Sequence, residues 1–221
     1  MISSVIVGAG KGKRFKSTLP KNFFNLKGKK IIEYSLETFN AIDKINEIIL
    51  VLPAEYVNCR ETKKWKLLFS KLKHIVAGGK VREESVYNGL ICCSPRNNIV
   101  LIHDGARPFV NKKLIERVIN GTRKYGACIP VYEVFGSIKT VRNHFLAKTI
   151  ENNKFFVAQT PQGFNRNILI SLMNKQKDKL GQFPDESSIF QYFGYNVRIV
   201  NGDASNIKIT RKEDLRIAEK L

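Results

Sequence analysis

The sequence is poor in the features that mark membrane, secreted and cysteine-metal proteins. It has no apolar run near the roughly 20 residues of a membrane span, and its N-terminus enters a strand-like segment without the regions of a secretory signal. Its four cysteines show no C-x-x-C spacing and no paired histidines. We therefore expect free thiols in a reducing compartment, a cytoplasmic protein and no cysteine-bound metal.

Acidic residues are also scarce: 19 Asp and Glu face 38 Lys and Arg, which gives a formal net charge of +19. The positive electrostatic potential that this charge creates favours polyanionic ligands, either nucleic acid or small molecules that carry phosphate. The basic residues are scattered along the chain, however, and their abundance is also compatible with a general drift in composition. The charge alone does not choose between these interpretations.

Strand-like and helix-like segments alternate along the 221 residues, which are enough for one domain spanning residues 1–221. The predicted strands are Ser4–Val7, Glu47–Leu52, Lys73–Ala77, Ile99–His103 and Gly126–Pro130. The predicted helices between them are Lys30–Ala41, Trp65–Phe69, Val81–Cys93 and Asn111–Tyr125. This alternation predicts a three-layer α/β fold with a mostly parallel sheet, whose ligands bind beyond the carboxyl ends of the strands.

Residues Tyr132–Phe156 interrupt the alternation. The segment is short, rich in β-forming residues and mixed in polarity, so we expect a protruding β-arm or hairpin that packs on a second subunit. The pattern then resumes with helices at Arg166–Asn174 and Ser187–Phe193, a strand at Asn196–Asn201 and a C-terminal helix from Lys212.

The loop after the first strand, Gly8 to Gly12, reads GAGKG. A P-loop is excluded because the Gly-Lys pair is followed by Arg14 rather than a hydroxyl residue. The dinucleotide fingerprint is excluded because Phe15 stands where its last glycine belongs. What remains is a turn whose backbone N–H groups suit phosphate, followed by the cations Arg14 and Lys21.

Two later segments have the composition of binding loops. In AGGKVREESVYNGL, Ala77–Leu90, a Gly-Gly turn followed by Ser85 lets the backbone approach a base edge, where a carbonyl would select cytosine or adenine over uracil. An ordinary strand–helix turn explains that pattern equally well. In VLIHDGARPFV, Val100–Val110, Asp104 ends a strand, and we favour a Mg²⁺ ligand over a helix cap. His103 is compatible with a structural hydrogen bond or with catalysis.

A basic residue of interest also lies near the C-terminus. The segment SNIKITRKEDL, Ser205–Leu215, places Lys208 in a strand-like run. Lysines in such runs are usually solvated, but one that alternates with Ile207 and Ile209 can equally face a site.

In this order, the motifs GAGKGKRF…PKNF, GGKVREESVYNGL, VLIHDGARPFV, QTPQGF and NIKIT…EDL cover nearly the whole chain. Together they resemble the 2-C-methyl-D-erythritol 4-phosphate cytidylyltransferases of the non-mevalonate isoprenoid pathway. The resemblance implies a Rossmann-like nucleotidyltransferase fold, a homodimer with an exchanged β-arm, CTP as co-substrate and Mg²⁺ as cofactor. A phosphate oxygen of the acceptor would attack the α-phosphorus of CTP and expel pyrophosphate, which needs no general base.

The resemblance also implies roles for individual residues. It places the triphosphate loop on Gly8, Ala9, Gly10 and Gly12, cytosine recognition on Gly79, Lys80 and Ser85, and the remaining nucleotide contacts on Asp104 and Gly105. It assigns the catalytic cations to Arg14, Lys21 and Lys208, the metal-binding carboxylate to Asp104, and an acceptor-site arginine to Arg107. At both Gly8 and Gly105 the family commonly has alanine.

Departures from the family pattern fall mainly on the acceptor side. The arm lacks the family's acceptor-binding arginine at about Phe135, beside Gly136, and Pro184 stands where the family has a threonine contact. Lys139 on the arm is a candidate replacement as the partner of the acceptor phosphate. A cytidylyltransferase for another polyol phosphate, such as ribitol 5-phosphate, is therefore an alternative.

Two other classes of function, a nucleic-acid-binding domain and an oxidoreductase, fit these residues less well. A nucleic-acid-binding domain is expected to cluster basic residues among aromatics, whereas here the cations of interest follow a glycine-rich loop. A dinucleotide-dependent oxidoreductase needs an acidic ribose partner about 20 residues after its glycines. Glu33 lies in that region, but the glycine spacing is wrong. We therefore predict no nucleic-acid partner. Because the sequence also has no apolar run long enough to span a membrane, we predict no membrane partner either.

Overall fold

The computed structural model of the chain describes residues 1–10, 15, 19–150, 155–177 and 181–221. Its strands are β1 (Ile2–Val7), β2 (Asn25–Leu26), β3 (Lys29–Lys30), β4 (Glu47–Leu52), β5 (Leu72–Ala77), β6 (Ile99–Asp104), β7 (Ala127–Glu133), β8 (Ile138–Arg142), β9 (Phe145–Ile150), β10 (Phe156–Ala158), β11 (Gln162–Asn165) and β12 (Arg198–Asn201). Its helices are α1 (Ile31–Asn40), α2 (Arg60–Leu68), α3 (Arg82–Ile91), α4 (Lys112–Tyr125), α5 (Arg166–Lys175), α6 (Glu186–Tyr192) and α7 (Lys212–Ala218). Across these ranges, none of the helices has the length and apolar character needed to traverse a bilayer.

Eight of the strands in the described ranges form one sheet, in the order β10–β7–β11–β6–β1–β4–β5, with β12 paired to β7. The pairs β6–β1, β1–β4, β4–β5 and β12–β7 are parallel. Only β10 and β11, among these strands, run antiparallel to their neighbours. The prediction of a mostly parallel α/β sheet is therefore confirmed.

The central strands β1 and β4 are buried along their whole length. Because both faces of β4 are covered, its residues from Ile48 to Leu52 form a continuous apolar run rather than an alternating one. Alternate side chains of β4 point into two separate cores. Ile48 and Leu50 pack in a core shared with α1, α2 and α4, whereas Ile49 and Val51 pack in a core shared with α3, α5 and α6. Helices therefore cover both faces of the sheet, and this gives the predicted three layers.

The predicted arm contains a β-hairpin that is separate from the main sheet. Strands β8 and β9 pair only with each other among the described strands, and Asn143 and His144 at the turn have φ of 49° and 67°. The apolar side chains of Val141, Phe145 and Leu146 are exposed on it. The hairpin prediction is confirmed for this part, while residues 151–154 lie outside the described residues.

Helix α2 and strand β11 are two of the parts of the fold that differ from the sequence-based expectation. Helix α2 begins at Arg60, ahead of the predicted start at Trp65. The sequence does not show this start because the first turns are polar and only Thr62 and Trp65 are buried. Strand β11 was not predicted, since QGFN has no strand-like pattern. It forms because it pairs with β6 on one side and β7 on the other.

Candidate active site

A cleft of about 350 Å³ opens at the carboxyl ends of β1, β5 and β6, where an open parallel sheet places its ligand site. The described residues that line it are Val7, Ala9, Gly10, Lys21, Asn22, Gly79, Lys80, Val81, Arg82, Ser85, Asp104, Ala106, Lys208 and Thr210. The loops that follow three strands and a segment near the C-terminus thus share one cavity. It brings together predicted residues from four separate motifs.

Asp104, the last residue of β6, is surrounded by cations. Lys208 Nζ lies 2.6 Å from its Oδ2, Arg82 Nε lies 3.2 Å from its Oδ1, and Arg107 Nε lies 3.9 Å from its Oδ2. Burial alone would raise the pKa of Asp104, but the three cations together hold that pKa well below its ordinary value. Asp104 is therefore ionised at neutral pH, and its charge faces the cleft.

Arg82, the first residue of α3, bridges Asp104 to Glu186, the first residue of α6. Its Nη1 atom lies 2.7 Å from Oε1 of Glu186, a side chain with no exposed surface. Burial would lower the pKa of Arg82, but Glu186 and Asp104 raise it above the ordinary value, so the guanidinium stays charged. Sequence reasoning singled out neither residue, and the only signal was the location of Arg82 inside a motif chosen for other residues.

The described part of the N-terminal loop is fixed to the sheet and to the turn that follows it. The N–H of Gly8 donates to the carbonyl of Val51 at 2.7 Å, and the Gly8 carbonyl accepts from Asn22 Nδ2 at 2.9 Å. Ala9 and Gly10 continue this loop into the cleft lining. Gly12 and Arg14, which the resemblance assigns to the triphosphate and to catalysis, lie outside the described residues.

The two predicted lysines come from opposite ends of the chain and meet in the cleft. Lys21 Nζ donates a hydrogen bond of 2.8 Å to the carbonyl oxygen of Ile209. The N–H of Ile209 in turn donates to the carbonyl of Ala106 at 2.8 Å. These bonds fix the segment that carries Lys208 beside Asp104, so both lysines border the same space.

The Gly-Gly turn after β5 packs directly against the N-terminal loop. A Cβ atom on Gly78 would lie 2.2 Å from the Cβ of Ala9, which is too close for any residue with a side chain. The N–H of Gly79 donates to Ser85 Oγ at 3.0 Å. Glycine here therefore serves the close approach of two backbone segments, and that approach places Gly79, Lys80 and Ser85 in the cleft wall.

The two residues predicted for the acceptor are not among the described residues that line the cleft. Arg107 is buried, and it donates through Nη1 to the carbonyl of Asn206 at 2.7 Å and through Nη2 to that of Ala158 at 3.3 Å. It thereby ties the segment that precedes Lys208 to the sheet. Lys139 is exposed on β8 and donates to Thr149 Oγ1 at 2.8 Å within the hairpin.

Gly105 and Gly8, where the family commonly has alanine, face the same side chain. A Cβ atom on Gly105 would lie 2.2 Å from Cδ1 of Ile32, and one on Gly8 would lie 3.1 Å from that atom. Ile32 is fully buried in α1. Its δ-methyl group therefore fills space that alanine methyls at these positions would need.

His103 is held as a structural residue. Its Nδ1 lies 3.1 Å from Thr160 Oγ1 and its Nε2 lies 3.2 Å from Ser35 Oγ. Burial lowers the pKa of His103 to about 3, so the imidazole is neutral. Of the two sequence-based alternatives for this residue, the geometry favours the structural hydrogen bond.

The sequence matches a family model described as 2-C-methyl-D-erythritol 4-phosphate cytidylyltransferase over residues 2–221. A curated protein of that name from Clostridium botulinum (strain ATCC 19397 / Type A) is 39% identical over 221 residues, which cover 99% of this chain and 96% of the relative. One of the same name from Thermosipho africanus (strain TCF52B) is 36% identical and covers 98% of this chain and 96% of its own length.

Solved structures agree with the sequence matches. The crystal structure of 4-diphosphocytidyl-2C-methyl-D-erythritol synthase from Anaerococcus prevotii DSM 20548 has a TM-score of 0.85 at 30% identity, covering 99% of this chain and 94% of that chain. The crystal structure of 2-C-methyl-D-erythritol 4-phosphate cytidylyltransferase from Thermus thermophilus has a TM-score of 0.82 at 28% identity, covering 98% and 96%. The similarity thus extends over nearly the full length of these chains.

Proposed function

The chain belongs to the 2-C-methyl-D-erythritol 4-phosphate cytidylyltransferase family, and on this premise we propose that it transfers the cytidylyl group of CTP to 2-C-methyl-D-erythritol 4-phosphate and releases pyrophosphate. The observation that carries the proposal is the cleft in which Lys21, Lys208 and Asp104 converge at the carboxyl ends of the strands. The protein is accordingly a CTP-dependent nucleotidyltransferase. The nucleic-acid-binding and oxidoreductase alternatives are not favoured.

The reaction requires positioning and charge stabilisation rather than proton transfer by the protein. The phosphate monoester of the acceptor is ionised near neutral pH, so its oxygen attacks the α-phosphorus of CTP without a general base. Catalysis then consists of holding two anions together and stabilising the pentavalent phosphorus. Lys21 suits a point charge at the α-phosphate, Lys208 a second phosphate contact, and Arg14 a multidentate one.

The cytosine base is proposed to bind against the Gly-Gly turn. Backbone groups of Gly79 and Lys80 and the hydroxyl of Ser85 border the cleft and have the donors and acceptors that distinguish one base edge from another. The close packing of Gly78 on Ala9 supports this arrangement, because it joins the base-binding turn to the loop proposed for the triphosphate.

We also propose that Mg²⁺ binds with CTP at Asp104. In the ranges that the structure describes, no three His, Cys, Asp or Glu side chains are grouped closely enough to hold a metal by themselves. One ionised carboxylate fits Mg²⁺, which takes one or two protein carboxylates and completes its ligands with water and substrate phosphates. When bound, the ion would neutralise charge on the triphosphate. Lys208, which pairs with Asp104 here, would then have a phosphate as its partner.

A cytoplasmic homodimer joined through the β8–β9 hairpin is part of the same proposal. Val141, Phe145 and Leu146 on the hairpin are 67%, 77% and 63% exposed, and Val141 lies directly opposite Leu146 across the two strands. Exposed apolar side chains that lie next to one another mark interaction surfaces. Lys139 on the same hairpin would then approach the acceptor site of the partner. The free cysteines fit a reducing compartment.

Pyrophosphate release tests the acceptor directly. The protein is incubated with CTP and Mg²⁺ together with 2-C-methyl-D-erythritol 4-phosphate, with ribitol 5-phosphate, or with no acceptor. We expect release that depends on the first acceptor, as the names of the relatives favour. Faster release with ribitol 5-phosphate would show instead that the departures at Phe135 and Pro184 have changed the acceptor.

A further inference from the structure

A buried carboxylate outside the described cleft lining, Glu186, pairs with the same arginine as Asp104. Glu186 is fully buried, and its only ion pair among the described residues is with Arg82, at 2.7 Å between Oε1 and Nη1. Its second oxygen, Oε2, has no hydrogen-bond partner in that part of the chain. Burial raises the pKa of the Glu186 carboxyl above its ordinary value, and the neighbouring Arg82 guanidinium opposes that rise. Because of this desolvation cost, the pair with Arg82 adds less to stability than its short distance suggests.

The Arg82 guanidinium forms ion pairs with two carboxylates, those of Asp104 and Glu186. Its contact with Glu186 is 2.7 Å long and its contact with Asp104 Oδ1 is 3.2 Å long, so the shorter bond goes to the residue outside the cleft. Asp104 Oδ2 is paired separately with Lys208. The position of the guanidinium, and hence the availability of Oδ1, therefore depends on Glu186.

We propose that Glu186 is a positioning residue for the metal site: it holds Arg82 so that Asp104 can accept Mg²⁺ together with CTP. The inference rests on the proposed function. Without the charge of Glu186, Arg82 would have Asp104 as its only carboxylate partner among the described residues and would compete with Mg²⁺ for it. The site would also gain one positive charge, which repels Mg²⁺ but not the triphosphate.

The experiment measures how strongly Mg²⁺ improves CTP binding. Calorimetric titration gives the Kd of CTP in Mg²⁺ and in EDTA, for the wild type and for Glu186→Gln. We expect the ratio of the two Kd values to fall at least about 10-fold in the variant, the usual effect of losing a residue that orients a metal ligand. Binding in EDTA should be unchanged or tighter. A variant with the wild-type ratio overturns the proposal.

Glu47→Gln is the matched control. Glu47 is also a buried carboxylate, and it accepts hydrogen bonds from Ser3, Ser94 and Asn97 at the opposite end of β4 from the cleft. Its replacement should lower stability without changing the Mg²⁺ ratio. A variant that is only less stable has a smaller folded fraction in the Mg²⁺ titration and in the EDTA titration alike. The ratio of the two Kd values therefore distinguishes an effect on the metal site from an effect on folding.

Arg82→Lys keeps the test decisive if Glu186→Gln does not fold. The side chain of Arg82 is partly exposed, and lysine retains the charge but not the fork that reaches two carboxylates. Because the lysine can pair with Glu186 and leave Asp104 Oδ1 to Mg²⁺, the ratio of the two Kd values is expected to be unchanged or higher, and a fall of about 10-fold overturns the proposal. If the wild type itself shows no Mg²⁺ effect on CTP binding, the metal site of the proposed function fails, and this inference fails with it. If the wild type shows the Mg²⁺ effect on CTP binding and Glu186→Gln keeps that effect in full, the proposed function stands and the role of Glu186 does not.

Discussion

The Nζ atom of Lys208 lies 2.6 Å from Oδ2 of Asp104, so a residue near the C-terminus and the end of a central strand form one ion pair in the cleft. The pair leaves both charges next to the space proposed for the triphosphate. Under the proposed function, CTP bound with Mg²⁺ would offer each of them a stronger partner of opposite charge. Substrate binding would then exchange this ion pair for two others.

Asp104→Asn tests the carboxylate in this exchange. We expect Mg²⁺-dependent turnover to fall at least about 100-fold, because the amide is a poor Mg²⁺ ligand and leaves Lys208, Arg82 and Arg107 without their shared counter-charge. Steady-state rates over a range of Mg²⁺ concentrations provide the measurement. Turnover that is indifferent to the change would move the metal site elsewhere.

Lys21→Ala tests the proposed transition-state contact. We expect kcat to fall at least about 100-fold with only a modest change in CTP affinity, as for a donor whose contact strengthens in the transition state. Lys66→Ala on the exposed side of α2 is a matched loss of one lysine and should leave kcat unchanged. Near-normal turnover in Lys21→Ala would exclude it from catalysis.

Gly105→Ala tests the packing of Ile32 under the site. The added methyl would meet Ile32 Cδ1, so we expect a loss of about 1–3 kcal/mol in the free energy of unfolding. Combining it with Ile32→Val removes that methyl and should restore part of the loss, beyond the sum of the two single changes. Urea unfolding of the four proteins measures the coupling. Simple additivity would show that the two positions do not share this space.

His103 predicts how stability depends on pH. Its pKa is about 3 in the folded protein against an ordinary 6.5, so below pH 6.5 the unfolded chain binds a proton that the folded protein does not. Stability from this residue is complete above that pH and decreases as the pH falls, by about 1.4 kcal/mol per pH unit. Urea unfolding at about pH 5.5 and about pH 4.5 should show a shallower decrease in His103→Asn than in the wild type. Equal slopes in the two proteins would contradict this account.

Phe145→Lys tests the proposed interface. A charge in place of this exposed apolar side chain of the hairpin should shift the protein towards monomers in analytical ultracentrifugation. Leu67→Lys is the control, since Leu67 on α2 is 89% exposed and lies outside the hairpin. A wild type that sediments as a monomer, or a variant that remains dimeric, would rule out the hairpin interface.

The elements that sequence predicts best are those whose pattern is local. Strand β4 matches its predicted bounds, Glu47–Leu52, because the uninterrupted apolar run from Ile48 to Leu52, followed by Pro53, already specifies a strand buried on both faces. Strand β11, with the sequence QGFN, has no such pattern and depends on pairing with two neighbours that are distant in the chain. The start of α2 was missed for the related reason that its polar first turns bury almost nothing.

By itself, the sequence determined the alternation of the main parallel strands with helices, the glycine-rich loops at strand ends, and Asp104, Lys21 and Lys208 as candidate site residues. These depend on composition and spacing within short segments. Only the tertiary structure decided that Arg82 joins Asp104 to Glu186, which lies 104 positions after Arg82 in the chain. It also decided that His103 is neutral. Both depend on burial and on the charges that packing brings within a few ångströms, and neither quantity is carried by a local stretch of chain.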